Sequence, residues 1–172
     1  FLEMADSCVE RDTITYNAAL SACGKGGQWV QALQLFREMV DSHVERDTFT
    51  FGGAVSSLEK GEQWLRALQL FREMTDGSVE GDTVVCNAAI SACGKGGEWI
   101  WAVQLFREMV VSHMHRDTYT YNAAVSACEK GGEWVQALQL FREMADSLVQ
   151  RGTITYNAAL SACGKGEQWV RA

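Results

Sequence analysis

Proline is absent from all 172 residues. No unit of an internal repeat can therefore close on one, and glycine and polar residues are left to punctuate the chain. Cysteine occurs six times but never as C-x-x-C, and no Cys/His cluster has ligand spacing, so no metal or cofactor is expected. No apolar run approaches the roughly 20 residues that a spanning helix needs, and no membrane partner is expected. A surplus of positive charge is lacking as well. The formal net charge is −7, which at first sight counts against a nucleic-acid ligand. With 47% hydrophobic and 22% charged residues, the composition is that of a globular chain and the length allows a real core.

What the sequence does have is a period. Trp29, Trp64, Trp99, Trp134 and Trp169 are each 35 residues apart, and Phe36, Phe71, Phe106 and Phe141 keep the same step. Cutting before the Thr of each DT or GT pair gives full units 13–47, 48–82, 83–117 and 118–152, with part-units 1–12 and 153–172, in a single array over 1–172. The chain opens on Phe1 without an initiator methionine and stops at Ala172 within an apolar stretch. A slice of a longer array is expected, with any targeting segment outside it.

In unit 13–47, Tyr16, Ala19, Leu20 and Cys23 fall at i, i+3, i+4 and i+7, one face of a short helix. Asp12 or Thr13 can cap its start and Gly26-Gly27 can stop it. Trp29, Ala32, Leu33, Phe36, Met39 and Val40 form the apolar face of a second helix of about four turns, which ends at the polar segment HVERD. Each unit thus predicts a helical hairpin. One hairpin cannot bury both faces alone, so neighbours stack, and a constant rotation between them gives a superhelix with first helices on one wall and second helices on the other. The fold expected is all-α, an α-solenoid. Small residues at 18–19, 53–54, 88–89, 123–124 and 158–159 let adjacent first helices approach closely.

Cys23, Cys93, Cys128 and Cys163 share one place that Leu58 fills in the remaining unit, which marks buried thiols in a reducing compartment. GKGG at 24–27 and 94–97 lacks the spacing and the Ser or Thr of a phosphate loop. His43, His113 and His115 read as solvated loop histidines. No catalytic set and no small-molecule substrate emerge.

The opening TYN, the CGK before the turn, the ALQLFREM second helix and the terminal Asp together resemble the pentatricopeptide repeat, of the plain 35-residue type, over essentially the whole chain. Tetratricopeptide units are 34 residues long and close on proline. The resemblance implies a right-handed superhelix that binds single-stranded RNA at about one nucleotide per repeat. It implies that the fifth and last residues of a repeat read the base edge, and that second residues of consecutive repeats sandwich the base. The fifth residues are Asn17, Gly52, Asn87, Asn122 and Asn157; the last residues are Asp12, Asp47, Asp82, Asp117 and Gly152. Asn with Asp, in units 13–47 and 83–117, implies a uracil reader. Gly52 offers no side chain, and the loss of a last acid at Gly152 implies a weaker pyrimidine preference, giving U-any-U-pyrimidine. The second residues are Ile14, Phe49, Val84, Tyr119 and Ile154, apolar groups at helix starts where a stacked base is a fitting partner, worth about 1–3 kcal/mol for the aromatic pair members. The family's closing Pro is replaced by Arg46, Gly81, Arg116 and Arg151, and its turn Gly by Cys8, His43, Ser78, His113 and Leu148, which leaves the inter-unit turn geometry open.

Every lysine, namely Lys25, Lys60, Lys95, Lys130 and Lys165, stands at one place before the glycine turn, whereas Glu38, Glu73, Glu108 and Glu143 sit on second helices. An acidic total is compatible with a basic stripe for phosphates. Three local readings stand beside the binding one: lysine at a helix C-terminus, aspartate as an N-cap and asparagine laddering between helices. The expectation is sequence-specific RNA binding, by resemblance in mitochondrial or plastid RNA processing, stability or editing, with the convex face left for protein partners. The alternatives are a protein-binding solenoid of the tetratricopeptide type and the RNA-binding part of a larger RNA-processing enzyme.

Overall fold

The computed structural model describes residues 12–77, 79 and 81–165. Residues 1–11 and 166–172, which hold Cys8, Trp169 and most of the part-units, lie outside the described residues, as does Ser78. The described residues form nine α-helices: α1 (Thr13–Gly26), α2 (Trp29–Asp41), α3 (Thr48–Lys60), α4 (Trp64–Asp76), α5 (Thr83–Lys95), α6 (Trp99–Val111), α7 (Thr118–Lys130), α8 (Trp134–Asp146) and α9 (Thr153–Lys165). The chain falls into two compact units, Phe1–Gly81 with α1 to α4 and Asp82–Ala172 with α5 to α9.

The first helices α1, α3, α5 and α7 start where an aspartate satisfies an orphan amide. The Thr15 N–H donates to Asp12, Thr50 to Asp47, Val85 to Asp82 and Thr120 to Asp117, at 2.8–2.9 Å. Asp47 and Asp117 complete reciprocal capping boxes, their own N–H groups donating to the Thr50 and Thr120 hydroxyls. The turn into the second helix needs a left-handed residue, supplied by Gly27, Gly97 and Gly132 and, at the same place, by Glu62 with φ +56°. Second helices have no side-chain cap; they are held by an apolar face, Ala32, Phe36 and Met39 in α2 and Ala102, Phe106 and Met109 in α6.

The inter-unit turns keep the left-handed conformation without glycine. His43 and His113 stand at φ +54° and Leu148 at +56°, at the place where the resemblance has Gly. The missing proline is also answered. In the first unit the Arg46 guanidinium lies over Phe36 at 4.7 Å and over Phe51 at 5.4 Å, and pairs with Glu73 at 2.6 Å. In the second unit Arg116 repeats this over Phe106 and Tyr121 with Glu143, and Arg151 lies over Phe141 and Tyr156. The two rings of each set meet edge to face at 5.0–5.1 Å. Such ring pairs contribute about 0.5–1.5 kcal/mol beyond burial, and the cation over them adds a comparable amount. One arginine thereby ties the second helix of one hairpin to the first helix of the next.

Close approach between hairpins requires missing side chains. A Cβ at Gly53 would lie 2.9 Å from the Leu20 Cβ, and one at Gly61 would lie 2.2 Å from the Trp29 Cδ1. Trp99 packs on Gly131 in the same way, at 2.4 Å. The recurring tryptophan is thus seated on the next glycine turn. Leu58, Cys93, Cys128 and Cys163 are fully buried, as a core place requires, whereas Cys23 is partly exposed. Burial, seconded by the charge of Glu133, pushes the Cys128 thiol up to about 12, so it stays protonated and inert.

Candidate nucleic-acid interface

In the first unit the interface residues lie on the opening turns of α1 and α3. Ile14 and Phe49 stand at the second positions and are 77% and 80% exposed, although helix starts in contact with water are ordinarily polar. Between them, Asn17 on α1 reaches Asp47 at the cap of α3. Its amide nitrogen donates to the Asp47 Oδ1 at 3.0 Å and Oδ2 at 3.3 Å, and its Oδ1 accepts from the Thr50 hydroxyl at 2.8 Å. The ladder between neighbouring helices and the base-facing arrangement are therefore one structure. Asn17 retains one N–H and one lone pair, a donor and an acceptor side by side. Partial burial pushes the Asp47 carboxyl up, but the Thr50 N–H, the Asn17 amide and the Thr50 hydroxyl outweigh it and hold the group below its ordinary range. Asp47 is thus an anion, acceptor only, at neutral pH. Gly52 adds no side chain here, as its letter dictates.

The second unit holds three first helices, and Val84, Tyr119 and Ile154 stand exposed at their second positions. The Asn87 amide donates to Asp117 at 3.3 Å, while its Oδ1 is buried and has no hydrogen-bond partner. Burial pushes Asp117 up, and the Thr120 N–H, Thr120 hydroxyl and Asn87 amide bring it below its ordinary range. One step on, Gly152 supplies no carboxylate, and Asn122 accepts from the Thr155 hydroxyl, at 2.5 Å. Asn87, Lys95, Tyr119, Asn122, Lys130 and Ile154 all line one groove of about 390 Å³. Asn157, on α9, is exposed.

All five lysines fall in the last turns of the first helices. Lys60 and Lys165 lean back on the preceding hairpin. Lys60 donates to the Lys25 carbonyl at 3.4 Å, and Lys165 pairs with the Glu129 carboxylate at 2.6 Å. The latter pair escapes a sequence reading because its members stand 36 positions apart on different hairpins. The arginine clamps escaped it too, although Arg and an aromatic fourth residue do recur at the same step. Among the described residues no group of His, Cys, Asp and Glu could hold a metal, and no helix is long and apolar enough to cross a membrane.

Known proteins share this architecture. A solved pentatricopeptide repeat protein PPR10 in complex with an 18-nt psaJ RNA element superposes with a TM-score of 0.80 at 20% identity, over 100% of this chain and 25% of that one. PPR10 from maize gives 0.77 at 25% identity, over 98% and 24%. The PPR domain of Arabidopsis thaliana protein-only RNase P 1 in complex with tRNA gives 0.75 at 15% identity, over 90% and 84%. The chain thus spans about a quarter of the length of the PPR10 chains it matches. No curated protein sequence matches at a significant level. Three family models match: a PPR repeat family over residues 11–60, a PPR repeat over 84–114 and a pentatricopeptide repeat domain over 104–166. With its capped helical hairpins and its 35-residue step, this all-α solenoid belongs to the pentatricopeptide repeat family.

Proposed function

We propose that the chain binds single-stranded RNA on its first helices, about one nucleotide per repeat, with a lean toward uracil and other pyrimidines. The observation that supports this most is the Asn17–Asp47 pair flanked by exposed Ile14 and Phe49. A fixed donor and acceptor lie beside flat or branched apolar surface, which is what a base needs for edge recognition and stacking together. Asn87–Asp117 with Val84 and Tyr119 is a second such site, and Asn122 with Tyr119 and Ile154 a third, lacking the acid. Lysines of the stripe, Lys25 and Lys130 among them, hold phosphates, which set register and affinity without reading sequence. The net charge of −7 does not oppose this, because Glu73 and Glu143 face arginines of the clamps.

In this reading the chain recognises and does not catalyse. RNA complexes named among its structural relatives support the ligand class, and family membership supports a setting in mitochondrial or plastid RNA processing, stability or editing. Titration of a labelled U-rich RNA at several salt concentrations tests it. Saturable binding whose log affinity falls linearly with log salt is expected; no affinity at low salt, or a flat slope, contradicts it.

A further inference from the structure

An acid stands directly before the lysine of the stripe in two repeats, as Glu59 and Glu129, where Gly24, Gly94 and Gly164 stand in the other three. The contacts of Glu129 are the ones that bear on the groove over Asn122. The Glu129 carboxylate accepts from Lys165 Nζ at 2.6 Å and from the Ser161 hydroxyl at 2.8 Å, both on α9. The Lys165 Nζ also donates to the Glu129 carbonyl at 3.4 Å. The acid side chain is only 16% exposed, so it is fixed against α9 and does not swing freely in water.

We infer that Glu129 switches Lys165 off as a phosphate ligand and weakens the hold on the RNA backbone beside Asn122. This rests on the RNA-binding reading above. A phosphate arriving at Lys165 must displace a carboxylate already held by an ammonium and a hydroxyl, and it meets a negative charge where Gly24, Gly94 and Gly164 present bare backbone. Lys130, one residue from Glu129, lines the groove with Asn87 and Asn122. The acid therefore acts where the backbone would pass. It coincides with the loss of the base-reading acid at Gly152, so grip and discrimination fall together over one nucleotide.

The test is the salt dependence of RNA affinity for the wild-type chain, Glu129→Gln, Glu129→Gly and a charge-matched Glu133→Gln, with the same U-rich RNA. Releasing one lysine should steepen the log–log slope by about 0.7 and tighten binding about fourfold at 0.15 M salt, for Glu129→Gln and Glu129→Gly alike. Adding Lys165→Ala to Glu129→Gln should remove the gain in slope. Glu133→Gln should leave the slope as it is. If the wild type binds with a salt slope and the Glu129 variants match it, the inference falls and the RNA reading stands. An equal gain from Glu133→Gln also overturns it, since the effect would then be overall charge. If the wild type shows no binding and no slope, the RNA reading falls and takes the inference with it.

Discussion

The side-chain amide of Asn17 donates to the carboxylate of Asp47, thirty positions along the chain and on the next hairpin, at 3.0 Å. That one bond couples the stacking of α1 on α3 to the display of a donor and an acceptor on the surface. Asp47→Ala should therefore cost more than an N-cap. Asp82, whose side chain accepts from the Val85 amide and whose repeat has Gly52 in place of the fifth-position asparagine, provides the comparison. Asp82→Ala should lose about 1 kcal/mol. Asp47→Ala should lose about 1 kcal/mol more, because Asn17 and Thr50 are left unsatisfied. Denaturant melts of the two variants check the difference.

Acid should weaken the same contacts. Asp47 and Asp117 are held below 3.8 in the folded chain, the pull of their hydrogen bonds overcoming the upward push of burial. A depressed folded value means that the stabilisation is complete above the unfolded value and is lost as pH falls through the folded one. Melting temperature should be level through neutral pH and fall below about pH 4. Asp47→Asn should flatten part of that fall, as a pH series of thermal melts would show.

Gly61 is required by Trp29. An added Cβ would sit 2.2 Å from the ring Cδ1, and the ring, itself under the Arg66 guanidinium at 4.9 Å, cannot move away freely. Gly61→Ala should destabilise by about 1–3 kcal/mol. At Gly152, where nothing lies within 4 Å of an added Cβ, Gly152→Asp should instead stabilise by about 0.3–1 kcal/mol through a new cap on α9. The same change should sharpen pyrimidine preference over Asn122, measured by competition between RNAs that differ at one position.

Arg46 holds Phe36, Phe51 and Glu73 together. Arg46→Ala should cost about 1–2 kcal/mol, mostly from the cation over the rings, since the partly exposed ion pair contributes little. Arg46→Lys should recover less than half, because an ammonium does not stack as a guanidinium does. Chemical denaturation of both variants measures this.

The local features were legible in the letters. Aspartate before four of the five first helices, the i, i+3, i+4 face of Tyr16, Ala19 and Leu20, and the 35-residue step all act within a few residues or repeat visibly. The exposure of Ile14 and Phe49 also followed, since an apolar second residue falls off the buried face. What the letters hid joins residues through space. Arg46 stood at the proline place, but its ring partners lie on two different helices. Lys165 looked like its four counterparts until Glu129, 36 positions back, proved to hold it. The left-handed turn at His43 was hidden for another reason: histidine tolerates that conformation only because the packed hairpins on either side dictate it.

The most direct measurement of the central claim is the base preference of Asn17→Thr against the wild type, read by selection from short RNAs randomised along the bound stretch. The family pattern predicts that preference shifts from U toward G at one nucleotide and stays as it was at the others. A preference unchanged at every position would mean that Asn17 only ties α1 to α3, and would contradict base reading by the Asn–Asp pairs.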